Sequence, residues 1–317
     1  MNVSPEISVV VPVYNRAKVV SRTLDSIAAQ TLRPVELILV DNASTDNSQA
    51  VLRTWAARNE SEGLRIRILH EKRQGAAAAR SRGLSEVTTP YVYFFDSDDY
   101  LFPDTLSRFV EAFRSNPQAQ IVCGAVVLEN MNGQEHTSAP PHRSLIINHF
   151  HHSFLRTIAY ASRTDFLREI GGWDTNLRIW DDWELGLRIL LATPEIVRLP
   201  GVVAHNLRTH DSVTGDLYSH RERFYEPVLK RVEALLCASN HPDRRLLLRL
   251  VQGRRMMLAA LYAREGRKDL SAPLRRRVLA LTKRDRWLRL ILRGAYHYRR
   301  LGLRGTDRIT TLLLGKI

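Results

Sequence analysis

Residues 91–99 read Tyr-Val-Tyr-Phe-Phe-Asp-Ser-Asp-Asp, and this stretch decides how the rest of the chain is interpreted. A run of aromatic and β-branched residues such as Tyr91–Phe95 predicts a buried strand. The carboxylates of Asp96, Asp98 and Asp99 follow it directly and would repel one another unless a positive charge lay between them. A divalent cation that shares its coordination with substrate phosphates would supply that charge. The alternative is a solvated acidic turn that merely ends the strand, because Asp and Ser are ordinary turn residues.

Strand and helix patterns alternate along the first half of the chain. Strands are predicted where β-branched and apolar residues run together, and helices where apolar positions recur every three or four residues. This alternation predicts an α/β fold with a mostly parallel sheet flanked by helices. The predicted strands are 7–13, 35–40, 65–70, 91–95 and 120–128, and the predicted helices are 17–30, 47–58, 104–115 and one that begins near residue 75.

Polar residues follow three of these predicted strands. Residues 14–16 follow the first strand, residues 41–46 the second, and residues 96–99 the fourth. Because sheets of this kind bind ligands at the carboxyl ends of their strands, the three clusters together favour a functional crevice over three unrelated turns. Neither G-x-G-x-x-G nor G-x-x-x-x-G-K-[ST] follows the first strand, which disfavours a dinucleotide-binding or P-loop protein.

Charge is distributed unevenly along the chain. The 317 residues carry a net charge of +14, and residues 221–317 alone hold 25 Lys and Arg against 8 Asp and Glu. Residues 1–220 then hold 22 basic and 25 acidic residues, a net charge of −3. We therefore predict a main domain over residues 1–220 and a basic helical region over residues 221–317. Such asymmetry favours a polyanionic partner or an anionic membrane surface.

The sequence also indicates the cellular compartment of the protein. Cys123 and Cys237 lie far apart, which suggests neither a disulfide framework nor a cysteine zinc site. No basic-then-apolar leader precedes the first strand, and no apolar run approaches the ~18–20 residues that span a bilayer. We expect a cytoplasmic protein with peripheral contact to the inner face of the membrane. Residues 286–300 mix Trp, Leu and Arg as interfacial helices do, although a packed helix with a solvated basic face is the alternative.

Two further segments contain residues of the types that bind metals or act in catalysis. His149, His151 and His152 could suggest zinc, but their spacing and the absence of nearby cysteine favour a loop near an acceptor site. Residues 180–183 read Trp-Asp-Asp-Trp and begin an amphipathic helix. The paired acids either complement the helix dipole or supply a general base, with the tryptophans stacking on sugar faces.

Taken together, these motifs resemble the family 2 glycosyltransferases, which have the GT-A fold and mostly invert the sugar anomer. Residues 9–16 resemble the opening strand and nucleotide loop of that family, residues 41–46 its D-[DN]-x-S-x-D turn, and residues 75–83 its G-x-x-x-A-R-x-x-G helix. The likeness covers about residues 5–215. It also includes Asp96-Ser97-Asp98 as the D-x-D metal motif, Asp181-Asp182 as the Glu-Asp or Asp-Asp pair, and Arg208-Thr209-His210 as an Arg-x-x-His-like segment.

For the donor side, the resemblance implies a nucleoside diphosphate sugar, with UDP favoured, and a divalent cation, Mn²⁺ or Mg²⁺. Asp98 is expected to bind the cation, with His210 as a candidate second ligand. Asp96 is expected to contact the ribose or a metal-bound water, and Asp41 to accept a hydrogen bond from uracil. The other expected donor-binding residues are Pro12, Tyr14, Arg16, Ser97 and Arg80, the last directed at a phosphate.

For the acceptor side, the resemblance implies that Asp182 is the general base, with Asp181, Trp180 and Trp183 beside the acceptor. The implied reaction moves a hexosyl or N-acetylhexosaminyl group to a hydroxyl of a glycan, lipid-linked or protein acceptor, with inversion. Polysaccharide, lipopolysaccharide or glycoprotein glycan assembly would use such an enzyme. Asp181 replaces the commoner Glu of the family, which bears on donor preference rather than on the reaction. The oligomeric state is left open.

Two other classes of protein share part of the pattern. A nucleic-acid-binding protein would use the basic charge of residues 221–317, but it leaves the acidic strand ends unexplained. A nucleotidyltransferase with a related α/β core would usually carry a glycine-rich basic loop after its first strand, and residues 14–17 do not form one. The transferase interpretation accounts for more of the chain than either alternative.

Overall fold

The structure is a computed structural model that describes residues 4–130, 132–207 and 217–303, together with residues 310, 313 and 314. The chain forms two compact units. The first unit comprises residues 1–145 and 153–210, and the second unit comprises residues 146–152 and 211–317.

A single sheet organises the first unit, and its described part has nine strands in the order β3-β2-β1-β4-β8-β6-β9-β5, with β7 paired to β6. Helices α1 to α4, α6 and α7 also belong to this unit. The strands are β1 Ile7–Val13, β2 Val35–Asp41, β3 Leu64–His70, β4 Tyr91–Phe94, β5 Tyr100–Leu101, β6 Ile121–Glu129, β7 Glu135–Ser138, β8 Tyr160–Arg163 and β9 Ile196–Asn206. The helices are α1 Val20–Ala28, α2 Ser48–Asn59, α3 Ala76–Glu86, α4 Thr105–Ser115, α5 Leu145–His152, α6 Thr164–Glu169, α7 Asp181–Leu191, α8 Glu222–Ala238, α9 Arg244–Arg264, α10 Lys268–Leu281 and α11 Arg286–Arg300.

The parallel half of the sheet matches the sequence pattern. Strand β1 pairs in parallel with both β2 and β4, and β2 pairs in parallel with β3. All residues of β1 and β2 are buried, as expected of strands covered by helices on both faces, and this explains their nearly continuous apolar sequences. The predicted α/β architecture is confirmed in this region.

The other half of the sheet is mixed. Strand β8 lies between β4 and β6 and runs antiparallel to both, whereas β9 is parallel to β6 and antiparallel to β5. The sequence pattern predicts 120–128 as the next strand of a parallel alternation, and it gives no sign of β8 or β9. Strand β8 has only four residues and follows an irregular segment, so no periodicity reveals it.

A glycine brings α3 against the sheet. A Cβ atom at Gly83 would overlap Cγ1 of Val10 on β1 and would lie 3.3 Å from Cγ2 of Val40 on β2. Glycine therefore allows the backbone of α3 to approach two central strands closely. This approach fixes the helix that carries Arg80, a buried residue one turn earlier.

Helix α9 is the central element of the second unit, since α8, α10 and α11 all pack on it. Its Arg255 is fully buried and forms ion pairs with Glu226 and Glu233 of α8. Among the described helices, none is long and apolar enough to cross a membrane.

The histidine segment differs from its prediction. We expected a loop near the acceptor site at His149, His151 and His152, but these residues form part of α5, whose residues 146–152 belong to the second unit. His149 is fully buried, and the ring of Phe150 lies 5.6 Å from the guanidinium of Arg254 on α9. In the part of the chain that the structure describes, no group of three His, Cys, Asp or Glu could hold a metal ion, so α5 is not assigned a zinc site.

We expect Gly83→Ala to lower the free energy of unfolding by about 1–3 kcal/mol, because an added methyl group overpacks a filled core. Gly294→Ala is the matched control, since no atom lies within 4 Å of a Cβ built at that position of α11. This control should be neutral or stabilising by up to about 1 kcal/mol, because alanine favours the helix. Urea denaturation followed by circular dichroism measures both changes. A Gly83→Ala protein of unchanged stability would contradict the close packing of α3 on β1.

Candidate active site

The first two polar clusters interlock at the carboxyl ends of β1 and β2. Val13 of β1 pairs with Asp41 of β2, so the loops that follow start side by side. The side chain of Asn15 accepts a hydrogen bond from the backbone N–H of Thr45 at 2.8 Å. The backbone N–H of Arg16 donates to Oγ of Ser48 at 2.7 Å. These bonds hold both loops in one arrangement at one edge of the sheet.

Asp41 is the last residue of β2, at the point where the second of these loops begins. Its carboxylate is almost completely buried and lies 3.1 Å from Nδ1 of His70, and it accepts a hydrogen bond from the backbone N–H of Ser44 at 3.3 Å. Tyr14 is exposed at the carboxyl end of β1, whereas Pro12 is buried within that strand. Pro12 can therefore shape a base pocket only through the backbone, and Tyr14 is the side chain available for contact.

The third cluster, residues 96–99, follows β4 and is held by two different segments. Asp99 is fully buried, and its Oδ1 accepts hydrogen bonds from Nδ2 of Asn206 at 2.9 Å and from the backbone N–H of Leu207 at 3.0 Å. The Oδ2 atom of Asp99 is buried without a hydrogen-bond partner. Asp98 is partly exposed, and its Oδ2 lies 3.5 Å from Nη2 of Arg16.

The carboxylates of this turn lie close enough to act on one another's pKa. Burial raises the pKa of the Asp99 carboxyl well above its usual range, and the charges of Asp96 and Asp98 raise it further. Burial, followed by the charge of Asp96, also raises the pKa of Asp98, although Arg16 opposes the rise. A further positive charge would therefore be bound favourably at this turn.

Arg80 joins this acidic turn to the start of α7. Its Nη2 donates to Oδ1 of Asp96 at 2.6 Å, and its Nη1 donates to Oδ2 of Asp181 at 2.7 Å. The guanidinium also lies 4.6 Å from the ring centre of Trp173. Burial alone would lower the pKa of Arg80, but Asp96 and Asp181 hold it above the ordinary value. Both Nη atoms bind carboxylates, and the expected contact of Arg80 with a donor phosphate stays a prediction.

Asp182 has the character of a general base. It is in the first turn of α7, and its Oδ1 accepts a hydrogen bond from the backbone N–H of Trp183 at 2.8 Å. Burial and then the charge of Asp181 raise the pKa of Asp182 to about 6, while Arg80 and Arg156 oppose the rise. A carboxylate with such a pKa is ionised at neutral pH and is still a better proton acceptor than an exposed aspartate.

A buried ion pair fixes the helix that carries Asp182. Glu184 and Arg188 of α7 are both buried, and Nη2 of Arg188 lies 2.8 Å from Oε2 of Glu184. Arg188 also donates to the backbone carbonyls of Ile170 and Gly172. The start of α7 is thereby attached to the turn that precedes it, which limits the movement of Asp181 and Asp182.

The two tryptophans beside the acidic pair differ in accessibility. Trp183 is 1% exposed and packs edge-to-face with Trp180 at a centroid distance of 5.7 Å. The ring of Trp183 is enclosed by protein, and its place on the acceptor side stays a prediction. Trp180 is partly exposed and keeps that predicted role.

Sequence reasoning missed three residues around Asp182. The pKa of Tyr160 is raised by burial and then by the charge of Asp182, and its hydroxyl has no hydrogen-bond partner in the structure. Arg156 is close enough to both Asp182 and Asp99 for their charges to act on its pKa. Trp173 stacks on Arg80. Arg156 and Tyr160 come from the segment without periodicity, and Trp173 follows Gly171-Gly172, a pair that indicates only a turn.

The acidic turn meets the chemical requirements of a divalent cation. Asp98 is partly exposed, and its carboxylate, whose pKa is raised by burial and then by the charge of Asp96, is an oxygen ligand that an incoming cation could reach. Within the described residues no set of three protein ligands converges, and His210 lies outside them. Mg²⁺ is commonly held by one or two carboxylates, with substrate phosphates and water completing its coordination, so a small protein ligand set fits such an ion.

A comparison with protein families identifies the class. The sequence model of the family described as "Glycosyl transferase family 2" matches residues 8–168, which is half of the chain. The protein belongs to glycosyl transferase family 2. The matched region contains all three strand-end clusters and Arg80.

Curated relatives are also glycosyltransferases. A "PGL/p-HBAD biosynthesis glycosyltransferase" of Mycobacterium tuberculosis is 29% identical over 201 residues, which are 63% of this chain and 75% of that protein. The "Uncharacterized glycosyltransferase EpsJ" of Bacillus subtilis is 30% identical over 137 residues, or 43% of this chain. This second match covers only 38% of the length of the Bacillus protein.

Solved structures share the fold. The "S. aureus TarS 1-349 in complex with UDP-GlcNAc" superposes with a TM-score of 0.70 at 20% identity, over 98% of this chain and 92% of that one. A mannosyltransferase from Pyrobaculum calidifontis, "in complex with GDP-Man and Mn2+", has a TM-score of 0.58 at 19% identity, over 99% of this chain and 87% of that one. The predicted GT-A fold is confirmed.

We expect Arg80→Met to lower the free energy of unfolding by about 3–5 kcal/mol, because it leaves two carboxylates beside each other without their shared cation. Arg82→Met, on the same helix, is the control. Arg82 pairs with Glu86 at the surface, so its loss should cost less than about 1 kcal/mol. Equal effects of the two substitutions, measured by urea denaturation, would show that the Arg80 bridge contributes nothing specific.

Proposed function

We propose that the protein is an inverting, metal-dependent transferase that moves a sugar from a UDP-linked donor to a hydroxyl acceptor. The observation that carries this proposal is the pairing of an acidic strand-end turn with a separate carboxylate base. Arg80 connects the acidic turn to the start of α7, because it donates hydrogen bonds to both Asp96 and Asp181. The family membership supports the class of reaction, and a neighbour of the same fold was solved with UDP-GlcNAc.

On the donor side, Asp98 is the residue proposed to hold Mn²⁺ or Mg²⁺, with His210 as its second ligand. The bound cation would neutralise charge that develops on the departing diphosphate. Arg16, whose guanidinium lies beside Asp98, would contact the phosphates. Asp41 would bind the uracil ring beside Tyr14, and Asp96 and Ser97 would face the ribose.

On the acceptor side, Asp182 is the proposed base. The acceptor hydroxyl would attack the anomeric carbon from the side opposite the diphosphate, and its proton would pass to Oδ2 of Asp182. One bond forms between the acceptor oxygen and the anomeric carbon, while the bond from that carbon to the diphosphate oxygen breaks. A single displacement of this kind inverts the anomeric configuration. Trp180 would stack on the acceptor sugar.

The acceptor is proposed to be a growing glycan, a lipid-linked saccharide or a glycoprotein. A polysaccharide, lipopolysaccharide or glycoprotein glycan would be the product. For a lipid-linked acceptor the enzyme would work at a membrane surface, in keeping with the basic charge of residues 221–317.

We expect Asp98→Ala to lower metal-dependent turnover of the donor by about 10²–10³-fold, the usual loss when a preorganised electrostatic contact is removed. Release of UDP from a panel of UDP-sugars, with Mn²⁺ and with Mg²⁺, measures the effect and also identifies the donor. Asp104→Ala is the control, because Asp104 is an exposed aspartate that pairs only with Arg108 among the described residues. Full turnover by Asp98→Ala would remove the metal assignment.

We expect kcat/KM for transfer to fall about tenfold per pH unit below pH 6, because the base acts only when it is deprotonated and the pKa of Asp182 is about 6. Asp182→Asn should abolish transfer while UDP binding, measured by calorimetry, stays within a few-fold of the unchanged protein. UDP binding across the same pH range serves as the control for donor affinity. Loss of transfer and of UDP binding together would indicate a structural role for Asp182.

A further inference from the structure

Large apolar side chains that are exposed cluster in one part of the described chain. Six of the eight such residues lie between positions 281 and 313, although that segment is about a tenth of the protein. Scattered exposed apolar residues are ordinary, whereas a concentration of them marks an interaction surface. The eight residues are Tyr14, Leu217, Leu281, Trp287, Leu290, Leu301, Leu303 and Leu313.

Helix α11 presents an apolar row to solvent. Trp287 is 67% exposed, Leu290 is 60% exposed, and Leu301, directly after the helix, is 76% exposed. Their spacing of 3 and then 11 residues keeps them on one face of a helix. The opposite face is already used, because Leu288 and Leu292 are buried and α11 packs on α9. The exposed apolar row is therefore separate from the face of α11 that packs on α9.

A row of arginines runs beside the apolar row. Arg286, Arg293 and Arg300 are exposed and recur every seven residues, which is nearly two helical turns. Residues 272–303 contain ten Lys and Arg and a single acidic residue, Asp285. That carboxylate is engaged already, since it caps α11 by accepting from the backbone N–H of Leu288 and it pairs with Arg249. The charge of the arginine row is not neutralised by acidic residues of its own segment.

We propose that this face of α11, formed by Trp287, Leu290, Leu301 and the row Arg286, Arg293 and Arg300, docks onto an anionic lipid surface. A helix in the membrane interface buries tryptophan and leucine at the level of the acyl boundary and places arginine among the headgroups. Each arginine near an anionic leaflet adds about fivefold to the affinity. A nucleic acid would be bound by the arginines without requiring an adjacent row of leucines.

The inference goes beyond the transfer reaction and does not depend on which sugar is moved. It gives the basic C-terminal unit a partner of defined chemistry, a bilayer with anionic headgroups. Docking there would raise the local concentration of a lipid-linked acceptor for an enzyme that otherwise meets it by diffusion.

The test is co-sedimentation of the full-length protein with vesicles of phosphatidylcholine, alone or mixed with phosphatidylglycerol. We expect binding only to the mixed vesicles. Trp287→Ser/Leu290→Ser should lower the partition coefficient by at least about tenfold, because two apolar side chains lose their burial. Arg286→Gln/Arg293→Gln should lower it by about 25-fold, as two headgroup contacts are lost.

Two control variants lie outside this face. Leu217→Ser removes an exposed leucine elsewhere, and Arg53→Gln/Arg58→Gln removes two exposed arginines of α2, so both should bind like the unchanged protein. Circular dichroism and UDP release without vesicles check folding and the proposed reaction separately from binding. Absence of binding to the anionic vesicles would overturn the proposal. It would also be overturned if the serine double variant bound normally, because a general polyanion site needs only the arginines.

Discussion

The bond network around the Arg80 guanidinium is the interaction on which the site depends. Asp96 comes from the end of β4 and Asp181 from the start of α7, so the two carboxylates are 85 positions apart in the chain and meet only through Arg80. Without the Arg80 guanidinium, the carboxylates of Asp96 and Asp181 would repel one another strongly, because both are shielded from much of the surrounding water. A buried cation therefore makes it feasible to hold the carboxylates of Asp96 and Asp181 close together.

The remaining carboxylates of the site lower the stability of the folded chain at neutral pH. The pKa values of Asp98, Asp99 and Asp182 are all raised, so these groups bind protons more tightly in the folded chain than in the unfolded one. Their contribution to stability is present at low pH and is lost as the pH rises through each raised pKa. At neutral pH the site therefore destabilises the folded chain, and the charge of Arg80 reduces this loss of stability. Active sites commonly accept such a loss in exchange for reactivity.

Much of the parallel half of the fold could be predicted from the sequence, because β1, β2 and β4 carry their own apolar patterns and end in polar clusters. Asp96, Asp98, Asp181 and Asp182 could be located for the same reason. The antiparallel strand β8 could not, since a four-residue strand is defined by its neighbours rather than by its own periodicity. The burial of Trp183 also follows from the sequence, because Trp183, Leu187 and Leu190 recur at helical spacing and are all buried. Arg156 and Tyr160 approach Asp182 only through the tertiary structure, so no local sequence pattern predicts their position.

The path of the chain through α5 has a practical consequence for dissecting the protein. Residues 146–152 leave the first unit, join the second, and return, so the boundary between the units is crossed three times rather than once. The backbone carbonyl of Phe150 accepts a hydrogen bond from Arg254, and the same guanidinium stacks on its ring. A fragment cut near residue 220 would retain α5 but lose Arg254, which would leave the carbonyl and ring of Phe150 without this partner. The catalytic part of this enzyme therefore cannot be isolated by shortening the chain from its C-terminal end alone.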